Sequence, residues 1–270
     1  MATPALNAVV TAKQEISPRL MIMRVAAHGW QMPEFEPGQF AVLGLPGSAP
    51  RTRISEPEDP PADPTKLIRR AYSVASSSLT REYMEFYINL VSSGALTPRL
   101  FALNVGDRVW LSPKATGLFT LDRVPLDKHI IMVATGTGLA PYISMLTSQM
   151  LCGDPKRYAV LHGAYHSWDL GYRSELLSLQ HLCRNFTYVA TIDRPEDEPV
   201  PWGGETGWVQ DLWRRGVVAE SWGFAPTPAN THVFLCGNPL MIEEMVDLLM
   251  KEGFREHTPK QEGEIHAERF

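Results

Sequence analysis

The segment Arg69-Arg70-Ala71-Tyr72-Ser73-Val74-Ala75-Ser76-Ser77-Ser78 gathers a guanidinium, a phenol and a hydroxyl within four residues. In a strand, residues 70, 72 and 74 share one face and 71, 73 and 75 the other. Arg70 and Tyr72 on one face, with Ser73 beside them, suit a ligand that is anionic, flat and polar at its edge. An exposed edge strand running into a polar turn would carry the same residues. A second candidate is Val-Ala-Thr-Gly-Thr-Gly-Leu-Ala-Pro-Tyr at 133–142. There Gly136 and Gly138 let the backbone approach a ligand closely, and the helix start that follows offers unpaired N–H groups, as a phosphate cradle requires. The dinucleotide fingerprint G-x-G-x-x-G is not completed, because Pro141 holds its last position. The next strand also ends, at 161–166, without the acid that would meet a ribose.

Two further points stand near strand ends. Cys236 closes an apolar run, a place where a doubly wound fold keeps its ligands, although a cysteine there also serves as a small buried hydrophobe. The segment 264–270, Glu-Ile-His-Ala-Glu-Arg-Phe, reads as a last strand with Glu268 and Phe270 on one face. His162 and His166 are four apart, but they straddle a strand end with a glycine between them, so no metal site is expected. No Ser-His-Asp order stands out.

The elements that must position these residues fall into two grammars. Before about Leu126, short runs rich in β-branched and aromatic residues (19–25, 39–45, 70–76, 83–91 and 107–112) are separated by turn residues. That pattern predicts an antiparallel barrel or sandwich. One connection, Pro46 to Leu67, holds six prolines and several charges and reads as a long exposed loop. From His129 onward, apolar strands (129–135, 158–164, 186–192 and 232–237) alternate with helical stretches (140–151, 172–183, 207–216 and 239–253). That alternation predicts a doubly wound parallel sheet. The expected division is a β domain at 1–124 and an α/β domain at 125–270.

Composition narrows the classes. The chain has 270 residues, 44% hydrophobic and 20% charged, as a soluble globular protein does. A net charge of -5 gives no reason to expect nucleic acid as a partner. No apolar run approaches the roughly 20 residues needed to cross a bilayer, and the first residues lack the pattern of a signal peptide. Three widely spaced cysteines fit a reducing compartment better than a disulfide framework, so the cytoplasm is expected.

Taken in order, Arg-Ala-Tyr-Ser (70–73), Gly-Ala-Leu-Thr-Pro-Arg-Leu (94–100), Thr-Gly-Thr-Gly-Leu-Ala-Pro (135–141), Cys-Gly-Asn-Pro-Leu-Met (236–241) and the acid-x-aromatic terminus resemble the ferredoxin–NADP reductase family, in its bacterial ferredoxin/flavodoxin branch. The resemblance runs over nearly the whole chain. It implies a β-barrel domain that binds FAD, followed by a domain that binds NAD(P). It implies that Arg70 pairs with the flavin pyrophosphate, a task that suits a guanidinium. Tyr72 would lie against the isoalloxazine and Ser73 near its N5 edge, with Ala71 between them. Tyr87, Ile88, Asn89 and Leu90 would contact the flavin, and Gly94, Ala95, Leu96 and Thr97 would form the pyrophosphate turn. Thr135, Gly136 and Gly138 match the nicotinamide nucleotide turn, with Thr137 counted among the flavin contacts. Cys236 and Glu268 would stand near the nicotinamide and flavin N5, with Gly237, Asn238 and Met241 completing the nucleotide side. Phe270 would cover the other flavin face and act as a gate.

The implied chemistry is hydride transfer between nicotinamide C4 and flavin N5, then single-electron exchange with ferredoxin or flavodoxin. Ser73, Cys236 and Glu268 would orient and polarise, and none needs to be a nucleophile. Relatives often carry three arginines around the 2′-phosphate of NADP(H). Here Arg194 fills one place, while Tyr165 and Trp208 stand at the other two, which keeps NAD(H) open as the coenzyme. Arg157, Arg173, Arg214 and Arg215 are candidates to compensate. A basic cluster, Arg51, Arg53, Lys66, Arg69 and Arg99, is expected to receive a small acidic carrier, and the protein is expected to be a monomer. Two alternatives remain: an NADH-dependent reductase of another acceptor, and a non-catalytic flavin subunit of a larger complex. Proteins of both kinds often add an iron–sulfur cluster, for which three scattered cysteines cannot supply four thiolates.

Overall fold

Met21, Met23 and Val25 are wholly buried, and this alternation makes β2 (Leu20–Ala27) a strand with one face in a core. The computed structural model, which describes residues 5–269, pairs β2 with β1 (Ala8–Ser17) on one side and β5 (Met84–Asn89) on the other. With β3 (Phe40–Pro46), β4 (Leu67–Ser73) and β6 (Arg108–Leu111) they form an antiparallel sheet in the order β4-β3-β6-β1-β2-β5. A bridge from Val74, just past β4, to Phe86 in β5 joins the two edge strands, so the sheet closes as a barrel. Its interior is filled by residues such as Leu43, Phe86, Ile88, Val109 and Leu111. β1 is not among the strands expected from the sequence. Its middle, Thr-Ala-Lys-Gln-Glu, has weak strand preference, and two register shifts interrupt its ladder. Pairing with both β2 and β6 holds it in place. A short helix, α1 (Thr97–Phe101), follows β5.

The second sheet is parallel: β7 (His129–Thr135), β8 (Tyr158–Ala164), β9 (Phe186–Ile192), β10 (Glu205–Thr206), β11 (Thr231–Cys236) and β12 (Ile265–Glu268), in the order β10-β9-β8-β7-β11-β12. The helices between them are α2 (Ala140–Gln149), α3 (Arg173–Leu182), α4 (Val209–Arg214), α5 (Val217–Trp222) and α6 (Pro239–Lys251). Apolar residues of α4, α5 and α6 pack on β7, β8 and β11 in one core. Successive strands run one way from β7 and then resume on its other side at β11. The C-terminal ends of β7 and β11 therefore flank the switch point, where open α/β sheets bind ligands.

The chain divides into two compact units. One takes in the residues up to Thr120 together with Ala140–Gln149, and the other takes in Leu121–Leu139 and the chain from Met150 onward. Helix α2 belongs with the first because its buried face packs there: the Tyr142 ring lies 6.0 Å from Phe119, and Ser78 donates its N–H to Ser148 Oγ at 2.9 Å. The cysteine expectation needs correction. Cys152 and Cys183, 31 residues apart, form a disulfide with a Cα–Cα distance of 4.7 Å, and Cys236 alone is free. Cys152 follows α2 and Cys183 closes α3; their approach depends on how β8 and α3 fold back, which spacing does not reveal. No helix among the described residues is long and apolar enough to cross a membrane.

Candidate functional site

In the first unit, the predicted residues collect where β4 leaves the barrel. Val74 donates to Gln39 O at 3.0 Å, Ala75 to Glu85 O at 2.7 Å, and Glu85 N–H to Ser76 Oγ at 3.1 Å. These bonds fix the mouth of the barrel. Tyr72 is partly buried against the barrel core, its ring edge-on to Phe86 at 6.5 Å. Burial pushes its phenol pKa well up, opposed only in part by the charge of Arg70, so the ring stays neutral. Ser73 is buried, while Ala71 and Arg70 are exposed. The guanidinium of Arg70 donates to the Arg69 carbonyl at 2.8 Å and pairs with no carboxylate among the described residues. On β5, Tyr87 and Ile88 are buried and Asn89 is exposed, and Leu90 just past the strand is buried. The turn that follows is pinned at both ends by Thr97, whose Oγ1 accepts from Val91 N–H at 3.0 Å and donates to Val91 O at 3.2 Å. Gly94 N–H donates to Val91 O at 2.9 Å. An exposed cation near an apolar-backed tyrosine, and a tight turn after the neighbouring edge strand, fit an anionic, flat group.

In the second unit the two glycine turns interlock at the switch point. A Cβ on Gly138 would be pressed into the carbonyl of Cys236, and one on Gly237 (φ +133°) into Thr135. Only glycine lets the ends of β7 and β11 meet this closely. Thr135 Oγ1 accepts from Asn238 N–H at 2.7 Å, and Asn238 Oδ1 accepts from Leu240 N–H at 2.8 Å, which caps α6. Met241 in the first turn of α6 is buried. Gly136, by contrast, has φ +52° and open space where a Cβ would stand. That vacancy beside a switch point is what close approach of a nucleotide needs. Thr137 lies within the same turn.

Cys236 is fully buried, and its Sγ donates to Glu268 Oε2 at 3.6 Å across the β11–β12 pair. Burial first, then the Glu268 charge, pushes the thiol pKa well up. It is therefore a thiol that holds its proton, not a thiolate nucleophile. Phe270 lies outside the described residues.

His162 and His166 occupy different surroundings. His162 is inside β8, 3.1 Å from the Tyr188 hydroxyl, and burial holds it neutral with a pKa of about 4. His166 stacks on Trp168 and sits between Asp169 and Asp197. At the three positions that the resemblance assigns to a 2′-phosphate, the Arg194 guanidinium lies 4.7 Å over the Tyr165 ring, and Trp208 is exposed. The proposed compensators are occupied. Arg214 pairs with Asp211 and Glu244, Arg215 with Glu205, Arg157 with the Arg184 carbonyl, and Arg173 stacks on Trp202.

The basic cluster expected at the surface is a correction. Arg99 is only 2% exposed and pairs with Glu58 at 2.9 Å, and Arg51 reaches the same carboxylate at 3.4 Å. Hydrogen bonds from Arg99 first, and from the Ala62 N–H, hold the Glu58 pKa down at about 2. Arg53, Lys66 and Arg69 remain exposed. Glu58 escapes sequence reasoning, since an acid in a Pro-rich loop and an arginine 41 residues later have no diagnostic spacing.

A family model described as an oxidoreductase NAD-binding domain matches residues 132–247. The flavodoxin/ferredoxin–NADP reductase of Escherichia coli strain K12 is 32% identical over 210 residues, which cover 78% of this chain and 77% of that protein. The ferredoxin–NADP reductase of Azotobacter vinelandii is 31% identical over 232 residues, covering 82% of this chain and 79% of that one. A crystal structure of a ferredoxin NADP+ reductase from Neisseria gonorrhoeae, with bound FAD and NADP, superposes with a TM-score of 0.81 over 97% of each chain, at 22% identity.

Proposed function

The chain belongs to the flavodoxin/ferredoxin–NADP reductase family, and on that premise we propose that it exchanges electrons between NADP(H) and ferredoxin or flavodoxin by way of bound FAD. FAD supplies the conversion between hydride transfer at N5 and single-electron steps. The residues bind and orient. In the half 1–124, Arg70 neutralises the pyrophosphate, the Tyr72 ring covers the isoalloxazine, and the Ser73 hydroxyl meets its polar edge. The backbone of Tyr87 to Leu90 and the turn Gly94 to Thr97 complete that half. In the half 125–270, Thr135, Gly136 and Gly138 seat the nucleotide at the switch point, with Gly237, Asn238 and Met241 behind them. Thr137 belongs to the same turn. Cys236 keeps its proton on Sγ and donates it as a hydrogen bond to Glu268, which fixes that carboxylate.

The observation that carries the reading is the interlocked pair of glycine turns beside a protonated, fully buried Cys236. The test is the absorption spectrum of the purified protein, followed by anaerobic addition of NADPH and then NADH. Bleaching of a flavin band by NADPH is the expected result. A colourless protein that FAD does not reconstitute would end the proposal.

The occupied arginines favour a second statement, that discrimination for the 2′-phosphate rests on Arg194 alone. NADH is then a competent, weaker donor.

A further inference from the structure

The excursion between β3 and β4 is pinched at its neck, where Gly47 N–H donates to Lys66 O at 2.9 Å. Beyond the neck it lies along the turn that follows β5. Thr52 N–H donates to Pro98 O at 2.9 Å, and Glu56 N–H to Ser92 O at 3.1 Å. Arg51 donates to Gly94 O at 2.9 Å and to Ser92 O at 3.2 Å. Arg99 donates to Ala95 O at 2.6 Å and reaches back to Gly47 O at 2.7 Å. Two guanidiniums this close would repel, and buried Arg99 would lack a counter-charge, without the Glu58 carboxylate between them.

A trans peptide points its C=O and the next N–H in opposite directions. Carbonyls of Ser92, Gly94 and Ala95 held toward the loop therefore send the N–H groups of Ser93, Ala95 and Leu96 the other way. Among the described residues, none of these three N–H groups donates to a protein acceptor. Successive N–H groups on one side form a concavity for an anion.

We propose that the 46–67 excursion is a positioning device for the flavin diphosphate: Arg51 and Arg99, joined through Glu58, draw the carbonyls of the turn to the loop and present the N–H groups of Ser93, Ala95 and Leu96 to the phosphates. Glu58, Arg51 and Arg99 are positioning residues that act through the backbone. The inference rests on the reading of residues 94–97 as the pyrophosphate turn.

The test compares Glu58→Gln with Arg70→Ala in the full chain. FAD affinity is measured by titrating the apoprotein, phosphorus NMR reads the bound diphosphate at saturating FAD, and hydrogen exchange reads the bonded amides of Thr52, Glu56 and Gly94 in the apoprotein. Glu58→Gln is expected to weaken FAD at least tenfold, shift the diphosphate resonances and speed exchange at these three amides. If Glu58→Gln does not fold, Arg51→Met, which leaves the Glu58–Arg99 pair intact, is expected to weaken FAD severalfold with the same resonance shift. FAD lost in Arg70→Ala but held with unshifted resonances in the loop variants overturns this inference alone. FAD held unchanged in every variant overturns the pyrophosphate reading and this inference with it.

Discussion

At Gly138 the space for a side chain is already taken by the Cys236 carbonyl, whereas at Gly136 nothing stands where a Cβ would go. The two glycines therefore fail differently. Gly138→Ala must push β7 and β11 apart, an overpacking cost of about 1–3 kcal/mol. It is expected to weaken NADP+ binding while flavin content holds, as a nucleotide titration and a visible spectrum would show. Gly136→Ala meets only the left-handed backbone at φ +52°, a cost of roughly 1–2 kcal/mol. It is also expected to weaken NADP+ binding more than Gly138→Ala does, because its Cβ fills the space the nucleotide enters; a smaller loss of affinity than Gly138→Ala causes would count against placing the nucleotide there. Trp208 makes a separate prediction. It is exposed, at a position the resemblance matches to a guanidinium, and Arg194 is stacked on Tyr165. Trp208→Arg is expected to raise the ratio of NADPH to NADH efficiency, by at most the roughly 1.5–3 kcal/mol of one charge-assisted hydrogen bond. A wild type that already prefers NADPH a thousandfold would contradict the placement of this site.

Elements were legible to the degree that their patterning was their own. β7 and β8 begin and end where their apolar runs do, because a strand buried on both faces writes its length in the sequence. β1 was not legible, since its partners β2 and β6 hold it rather than its composition. The loop from 46 to 67 read as exposed from its prolines and charges, and the partners of those charges lie at 92–99, far along the chain. The last strand carries a further signal. On β11 and β12, His232 Nδ1 lies 2.9 Å from His266 Nε2, and His266 also stacks on Phe234 and His257. Burial first, then the neighbouring His232, His257 and Arg123, push the His266 pKa down to about 3, with Glu264 opposing; burial lowers that of His232 as well. Unfolded histidines take up protons below about pH 6.5, while these stay neutral when folded. Stability is therefore full above that value and falls as pH drops from 6.5 toward about 3. The melting temperature is expected to fall over this window, and His266→Phe, which keeps an aromatic ring without the titration, should flatten the slope. An unchanged slope in that variant would place the acid sensitivity elsewhere.

Across the whole chain the charge is uneven in a way that bears on the carrier. Residues 1–124 hold 13 Lys and Arg against 11 Asp and Glu, whereas residues 125–270 hold 12 against 19. An acidic carrier meets a net charge of -5 at long range, which repels it. Closer in, the half proposed to hold the flavin offers the cations that have escaped internal pairing. Arg53 is exposed, and Arg69 lies over Trp110 with its charge uncancelled, whereas Arg70 is assigned to the pyrophosphate. Lys66 counts for less, because Asp63 stands 3.7 Å away. Arg51 and Arg99 count for less, because Glu58 cancels one of their two charges and Arg99 is buried. The balance depends on range. At physiological salt the screening length is about 8 Å, so most of the distant acidic charge is hidden while a local contact is still felt. Electron-transfer rates to an acidic ferredoxin or flavodoxin are therefore expected to rise from very low salt, pass through a maximum, and fall as salt screens the docking charges. Arg53→Glu and Arg69→Glu should lower the maximum and move it to higher salt, because each adds repulsion at the contact. Stopped-flow measurement of carrier reduction across ionic strength checks this. A rate that climbs steadily with salt in the wild type would mean that net repulsion governs throughout and that the carrier does not dock on these arginines.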